Sequence, residues 1–177
     1  MKIRLLPTAV TMFLSAVLLF GGWFAYREMA LQKPLDHLVN DLEGVESAKP
    51  IIDNSIVRIE LELQPDADLG SIYRTIASEG KNVIGSRELQ LDFSRSKSDK
   101  LDQIWSTVLF DVAEAMETKT YSGIPEAMRH LEQQYSGLQV KTTMDHVNVY
   151  ITMIDGQETK FIVLPRTPAR LEVWPDV

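Results

Sequence analysis

Residues Leu5 to Tyr26, LLPTAVTMFLSAVLLFGGWFAY, carry no charged side chain. As a helix rising roughly 1.5 Å per residue the run spans about 33 Å, close to the roughly 30 Å of a bilayer's hydrocarbon core. Trp23 and Tyr26 fall at its outer end, where amphipathic rings favour the membrane interface. Pro7 falls in the first turn, where it costs little. A cleaved signal peptide is the alternative. It is disfavoured because the apolar run is long for one and Ala25 has the bulky Trp23 two residues before it. The expectation is an uncleaved single-pass anchor over residues 5–26.

Lys2 and Arg4 precede this run, so residues 1–4 are expected in the cytoplasm and the remainder outside it. Residues 27–177 hold all 25 acidic side chains and sixteen of the eighteen basic ones, a formal charge of −9. A domain of that sign is not drawn to an anionic lipid surface. With no basic run and no Arg/Lys stripe interleaved with aromatics, nothing favours a nucleic-acid partner. The chain has no cysteine, which excludes disulfides, thiolate catalysis and Cys-type zinc sites.

Past a short juxtamembrane stem, residues 27–33, hydrophobic periodicity predicts an α+β architecture in two modules. In the first, residues 34–94, Leu35, Leu38, Val39 and Leu42 recur at helical spacing and Gly44 follows as a C′ glycine would. A strand in VESAKPIID and an Asp53-Asn54-Ser55 turn come next. IVRIELELQ alternates strictly, with Val57, Ile59, Leu61 and Leu63 on one face and Arg58, Glu60 and Glu62 on the other. A helix entered through Asp66 or Asp68 and closed by Gly80 leads to a third strand, RELQLDF. The order is αββαβ.

The polar stretch SRSKSDK, 94–100, marks the boundary. In the second module, residues 100–165, an amphipathic helix from about Leu101 to Glu117 is followed by another beginning near Pro125. LQVKTTM, HVNVYITMI and ETKFIVLP then form three strands, the last two joined at Asp155-Gly156. Residues 166–177, rich in proline, are expected to be extended.

HLVNDLEGV at 37–45 returns as HLEQQYSGL at 130–138. In both, a helix ends at glycine and a strand begins. A turn with an aspartate (Asp53, Asp145) and an alternating strand follow each. The offset is 93 residues at the helix and about 91–92 at the second strand. Such recurrence is the pattern of a diverged α-β-β duplication, or of chance reuse of a common phrase.

The αββαβ order behind an anchor, with LEGVESAKPII at the helix-to-strand joint, resembles the ring-building modules of bacterial inner-membrane ring proteins. Those occur in secretion systems, the flagellar basal body and the sporulation channel. The likeness covers residues 34–93 only and is matched by that to other envelope modules such as BON domains. It implies lateral self-association outside the membrane. The second module departs from that pattern, with an extra long helix and a finish in strands.

No constellation points to catalysis, a metal or a cofactor. His37, His130 and His146 lack partners at ligand spacing. DADLG, 66–70, fails as a calcium loop because position twelve is Ala77. SEGKNVIGS, 78–86, is better explained as a helix end and turn than as an anion cradle. Arg58, Glu60 and Glu62, with His146, Asn148, Tyr150 and Thr152, are expected to line open sheet faces, a partner-docking surface. The expectation is a non-catalytic extracytoplasmic scaffold or assembly protein, acting on itself or on another envelope protein. The alternative is a membrane-tethered ligand-sensing or regulatory ectodomain with a pocket between its halves.

Overall fold

The computed structural model describes residues 5–27, 32–93 and 98–166; within the first helix, side chains are described at Val10 and over 12–23. The expected cytoplasmic tail at 1–4, the stem at 28–31, the boundary at 94–97 and the tail from 167 onward lie outside the described residues. The apolar run forms α1, Leu5–Arg27. Among the described residues no helix is long and apolar enough to cross a membrane.

The body is a mixed α+β structure with two three-stranded sheets. The first module runs α2 (Lys33–Asn40), β1 (Val45–Ile52), β2 (Ile56–Leu63), α3 (Leu69–Glu79), α4 (Lys81–Ile84) and β3 (Glu88–Asp92). The second runs α5 (Asp99–Glu117), α6 (Gly123–Gln134), β4 (Leu138–Met144), β5 (Asn148–Asp155) and β6 (Glu158–Pro165). The sheet orders are β1-β2-β3 and β4-β5-β6.

Local chemistry sets the element ends. Asp68 caps α3 by accepting from the Ser71 amide at 3.1 Å, and Ser98 caps α5 by accepting from the Leu101 amide at 3.1 Å. Gly44 (φ 84°) and Gly137 (φ 92°) occupy the left-handed region between helix and strand, where a side chain would strain the backbone. Gly80 closes α3 as its C-cap, as expected, its amide donating to the Ile76 carbonyl at 2.9 Å, but without a left-handed backbone. Its φ is −75°, and the chain turns into α4 before Gly85 (φ 62°) reverses it. A Cβ at position 80 would meet the Ile76 carbonyl at 2.5 Å and the Leu35 side chain at 3.2 Å, so glycine there permits close packing.

Each sheet sends its central strand into one core. Val57, Ile59 and Leu61 of β2 pack with Leu35 and Val39 of α2 and Ile72 and Ile76 of α3. Val149, Ile151 and Met153 of β5 pack with Leu101, Ile104, Val108 and Val112 of α5 and with Met128 and Leu131 of α6. These six strand residues are 2% exposed or less. In structure the second strands therefore align at an offset of 92, Val57 with Val149.

The other face of β5 differs from its counterpart. Asn148, Tyr150 and Thr152 are buried as well, and Tyr150 and Phe161 belong to the first module's core. Tyr73 on α3 packs on Tyr150 with ring centroids 6.0 Å apart, and Phe93 on Phe161 at 5.6 Å. The second sheet thus lies sandwiched between its own helices and the first module. The expectation that Asn148, Tyr150 and Thr152 line an open face is corrected. The tyrosine ring and short polar groups that looked like a wet face are covered by another part of the chain.

Candidate functional site

The seam between the modules is organised by Asp145, in the turn between β4 and β5. Its amide donates to the Asn148 carbonyl at 3.0 Å, which closes the turn. One carboxylate oxygen accepts from the amides of Val147 and Asn148, each at 2.8 Å. The other accepts from the Tyr150 hydroxyl at 2.8 Å and lies 3.6 Å from the Arg74 guanidinium of α3. Its carbonyl accepts from the Arg166 guanidinium at 2.6 Å. The Asn148 amide nitrogen completes the group by donating to the Tyr150 hydroxyl at 3.2 Å. Gly70 allows the approach of α3, since a Cβ there would stand 3.3 Å from the Tyr150 ring.

The electrostatics follow from these bonds. Burial alone would raise the Asp145 pKa. The amides of Asn148 and Val147 and the Tyr150 hydroxyl favour the carboxylate and leave it below its ordinary value. Tyr150 moves the other way: burial raises its pKa, and the bond to the negative Asp145 adds to the rise. The Asn148 donor opposes that rise without cancelling it. At neutral pH the site is a carboxylate bonded to a neutral phenol, an arrangement that locks geometry.

Beside this cluster a groove of about 390 Å³ runs between the C-terminal half of α3 and the 145–147 turn. Its lining is predominantly apolar, from Tyr73, Ala77 and Val147, with Arg74, Asp145 and His146 on the same walls. A larger groove of about 440 Å³ lies beside the N-terminus of α3, near Glu43, Asp66 and Asp68. Asp68 is there as the helix cap. Among the described residues no group of three His, Asp or Glu side chains could hold a metal ion.

The expected docking residues divide between two surfaces. Arg58 is exposed on the outer face of the first sheet, its Nε donating to Gln90 at 3.4 Å. Glu60 and Glu62 beside it are half-buried, and Glu62 accepts from the Ser47 hydroxyl at 2.9 Å. His146 is exposed at the groove, whereas Asn148 and Tyr150 are each 2% exposed inside the seam. Trp23 is exposed on α1, and the side chain of Tyr26 lies outside the described residues. His37 and His130 are exposed, and His130 has Glu126 at 3.9 Å, one helical turn earlier. Sequence reasoning missed Arg74 and Gly70. A glycine beside the apolar stripe of α3 was the one available sign that something approaches that helix closely.

No family model matches the chain, and neither a curated protein nor a solved structure is found to match it.

Proposed function

We propose that this chain is a single-pass membrane-anchored scaffold or assembly protein, its α+β body outside the cytoplasm, that works without catalysis by self-association or partner binding. The uncharged run Leu5–Tyr26, long enough as a helix to match the hydrocarbon core, supports the anchor. One observation carries the binding role. The outer face of the first sheet presents exposed Lys49 and Arg58 beside half-buried Glu60, while the equivalent face of the second sheet is buried in the seam. The first module runs αββααβ, the expected αββαβ with the short α4 added, and the resemblance of that order to ring-building modules supports lateral self-association as the form of binding.

The test is the mass of full-length protein in mild detergent by light scattering, beside Arg58→Glu and Glu60→Lys variants. A discrete oligomer weakened by either charge reversal supports the scaffold reading. A monomer across a wide concentration range sinks self-association and leaves partner capture from membranes as the next step. The groove at the seam favours a second reading, a tethered ligand-sensing ectodomain. Small-molecule binding that changes the solvent exposure of Tyr73 would support it.

A further inference from the structure

We propose that the outward side of α5 is the docking surface for a basic amphipathic helix of a partner protein. That helix lays an apolar stripe along Leu109, Phe110 and Ala113 and sets lysine or arginine against the acidic residues around them. The proposal rests on the partner-binding part of the scaffold reading and deepens it, but it uses a surface separate from the first sheet.

Helix α5 carries more apolar surface than its fold uses. Leu101, Ile104, Val108, Val112 and Ala115 are buried in the core. A second row, Trp105, Leu109, Ala113 and Met116, follows at i, i+4, i+8 and i+11 along one flank. Trp105 and Met116 are half-buried against the core. Between them Leu109 is 45% exposed and Ala113 is exposed, and the neighbouring Phe110 is 83% exposed. Outside α1, no other described large apolar side chain is as exposed as Phe110. Helix α6, packed beside α5, keeps its outer side polar with Glu126, Arg129, His130 and Gln133. Single exposed apolar residues are ordinary on a surface, whereas a contiguous group rimmed by polar ones marks an interaction site. At about 1.5 Å per residue the row is roughly 17 Å long, about three turns, which is enough for a second helix to pack along it.

Charge names the occupant. Along α5 stand Asp99, Asp102, Asp111, Glu114 and Glu117, against Lys100 alone. Lys100 is held by Asp155, and Asp102 by Lys160. Asp111, Glu114 and Glu117 are exposed and have no salt-bridge partner among the described residues. The next cation in sequence, Lys119, stands beyond the last turn. A helix C-terminus favours cations, and the last turn of α5 holds none, so Glu114 and Glu117 oppose the helix dipole. The fold gains nothing from acids there. A basic helix laid on the apolar row would pair with them and offset that dipole.

The same charges argue against a second copy of α5. Side by side in parallel, Glu114 and Glu117 would meet their own equivalents; antiparallel, they would approach Asp99 and Asp102. Either arrangement sets like charges along the contact.

The probe is a fluorescent peptide of about 18 residues, long enough to form a helix, with leucine on one stripe and lysine elsewhere. Its twin carries glutamate in place of lysine. Anisotropy is read with full-length protein in mild detergent, and binding to empty micelles is subtracted. The expected result is that the lysine peptide binds at least about tenfold more tightly than its twin and loses about tenfold on Leu109→Ser/Phe110→Ser. Its binding should weaken as salt rises, and Glu114→Lys/Glu117→Lys should transfer the preference to the glutamate peptide. These side chains are exposed, so an unchanged denaturation midpoint certifies that each variant is folded. Equal affinity for the two peptides, or undiminished binding to Leu109→Ser/Phe110→Ser, overturns the proposal. So does a particle mass that halves with Phe110→Ser in the absence of peptide, which would assign the face to a second copy. Arg58→Glu should leave peptide binding unchanged, so failure at the first sheet and failure at α5 are read separately.

Discussion

In the first sheet the third strand arrives through α3 and α4 and runs parallel to β2; in the second it returns through the Gly156–Gln157 turn and runs antiparallel to β5. Up to that point the modules share details at an offset of 93 at the glycine turn and 92 elsewhere. The amide of the residue after Gly44 donates to Leu42, and that of the residue after Gly137 donates to Tyr135, both at 3.2 Å. Asn40 of α2 bonds the amide of Ala48 on β1, and Glu132 of α6 bonds the amide of Val140 on β4. Each helix thereby covers part of a sheet edge that would otherwise be open to pairing. Even the reversed third strands are tied at the same place. Glu88 donates to Ser55 where β3 begins, and Arg166 donates to Val147 just after β6 ends. An arginine then reaches the turn aspartate's carbonyl in both, Arg87 to Asp53 at 2.9 Å and Arg166 to Asp145 at 2.6 Å. The turn demands a cation and a backbone donor there, and the direction of the strand that brings them is secondary.

What separates the modules is the second face of the central strand. Arg58 and Tyr150 are equivalent positions, one in water and one in the seam. The largest expected effect tests that contrast. Tyr150→Ala should destabilise the protein by about 3–5 kcal/mol, as truncation of a buried aromatic does, whereas Arg58→Ala should stay within about 0.5 kcal/mol. Denaturant unfolding of the full-length protein in mild detergent measures both. A small loss at Tyr150 would mean that the seam contributes little and that the modules are held mainly by the chain between them.

Next is the aspartate pair. Asp145→Asn should cost about 1.5–3 kcal/mol at neutral pH, because hydrogen bonds to a charged acceptor are lost, while the exposed Asp53→Asn should cost within about 0.5 kcal/mol. The sign of the pH dependence follows from the depressed pKa of Asp145. Its contribution is present above the ordinary carboxylate range, about pH 4, and is lost as pH falls through the lower folded value. Tyr150, raised on folding, contributes below about pH 10 and loses that contribution as pH rises beyond it. The stability gap between wild type and Asp145→Asn should therefore be constant at neutral pH and close in acid. A gap that persists unchanged to pH 2 would show that the amide geometry, and not the charge, holds the turn.

A smaller effect asks whether the cores behave as one. Ile59→Val and Ile151→Val each remove one methylene from a fully buried position and should cost about 0.5–1.5 kcal/mol. With Tyr150 and Phe161 counted in the first module's core, both variants should move a single unfolding transition by similar amounts. Two transitions, one shifted by each variant, would separate the modules thermodynamically.

Much of this frame was legible from side-chain periodicity. Val57, Ile59 and Leu61 alternate with charges, and Leu101, Ile104, Val108 and Val112 recur at helical spacing; each pattern names a single buried face. The paired glycines at 44 and 137 gave the helix ends. The four-residue α4 was too short to leave a period. The seam was illegible for a different reason. Asn148, Tyr150 and Thr152 alternate with aliphatics as a solvent face would, and alternation cannot tell water from a polar-lined interface. What covers Tyr150 comes from α3, more than seventy positions earlier, through Gly70 and Tyr73, with Arg74 beside Asp145. Asp145 was visible as a turn former, but its other partners are set by tertiary packing.

The smallest expected effect on stability is the most informative about function. Arg58→Glu sits on an exposed strand position whose one described side-chain bond, to Gln90, is long and solvent-facing. Such a contact contributes little, so the unfolding free energy should change by less than about 0.5 kcal/mol. If the mass of the full-length protein falls while its stability holds, the outer face of the first sheet is a contact surface, since nothing inside the fold has changed. If stability falls together with the mass, the residue is supporting β2 against β3, and the oligomer is lost through the fold. Only the first outcome distinguishes the two sheets by purpose: one face turned inward to join the modules, and its twin kept charged and exposed for a partner.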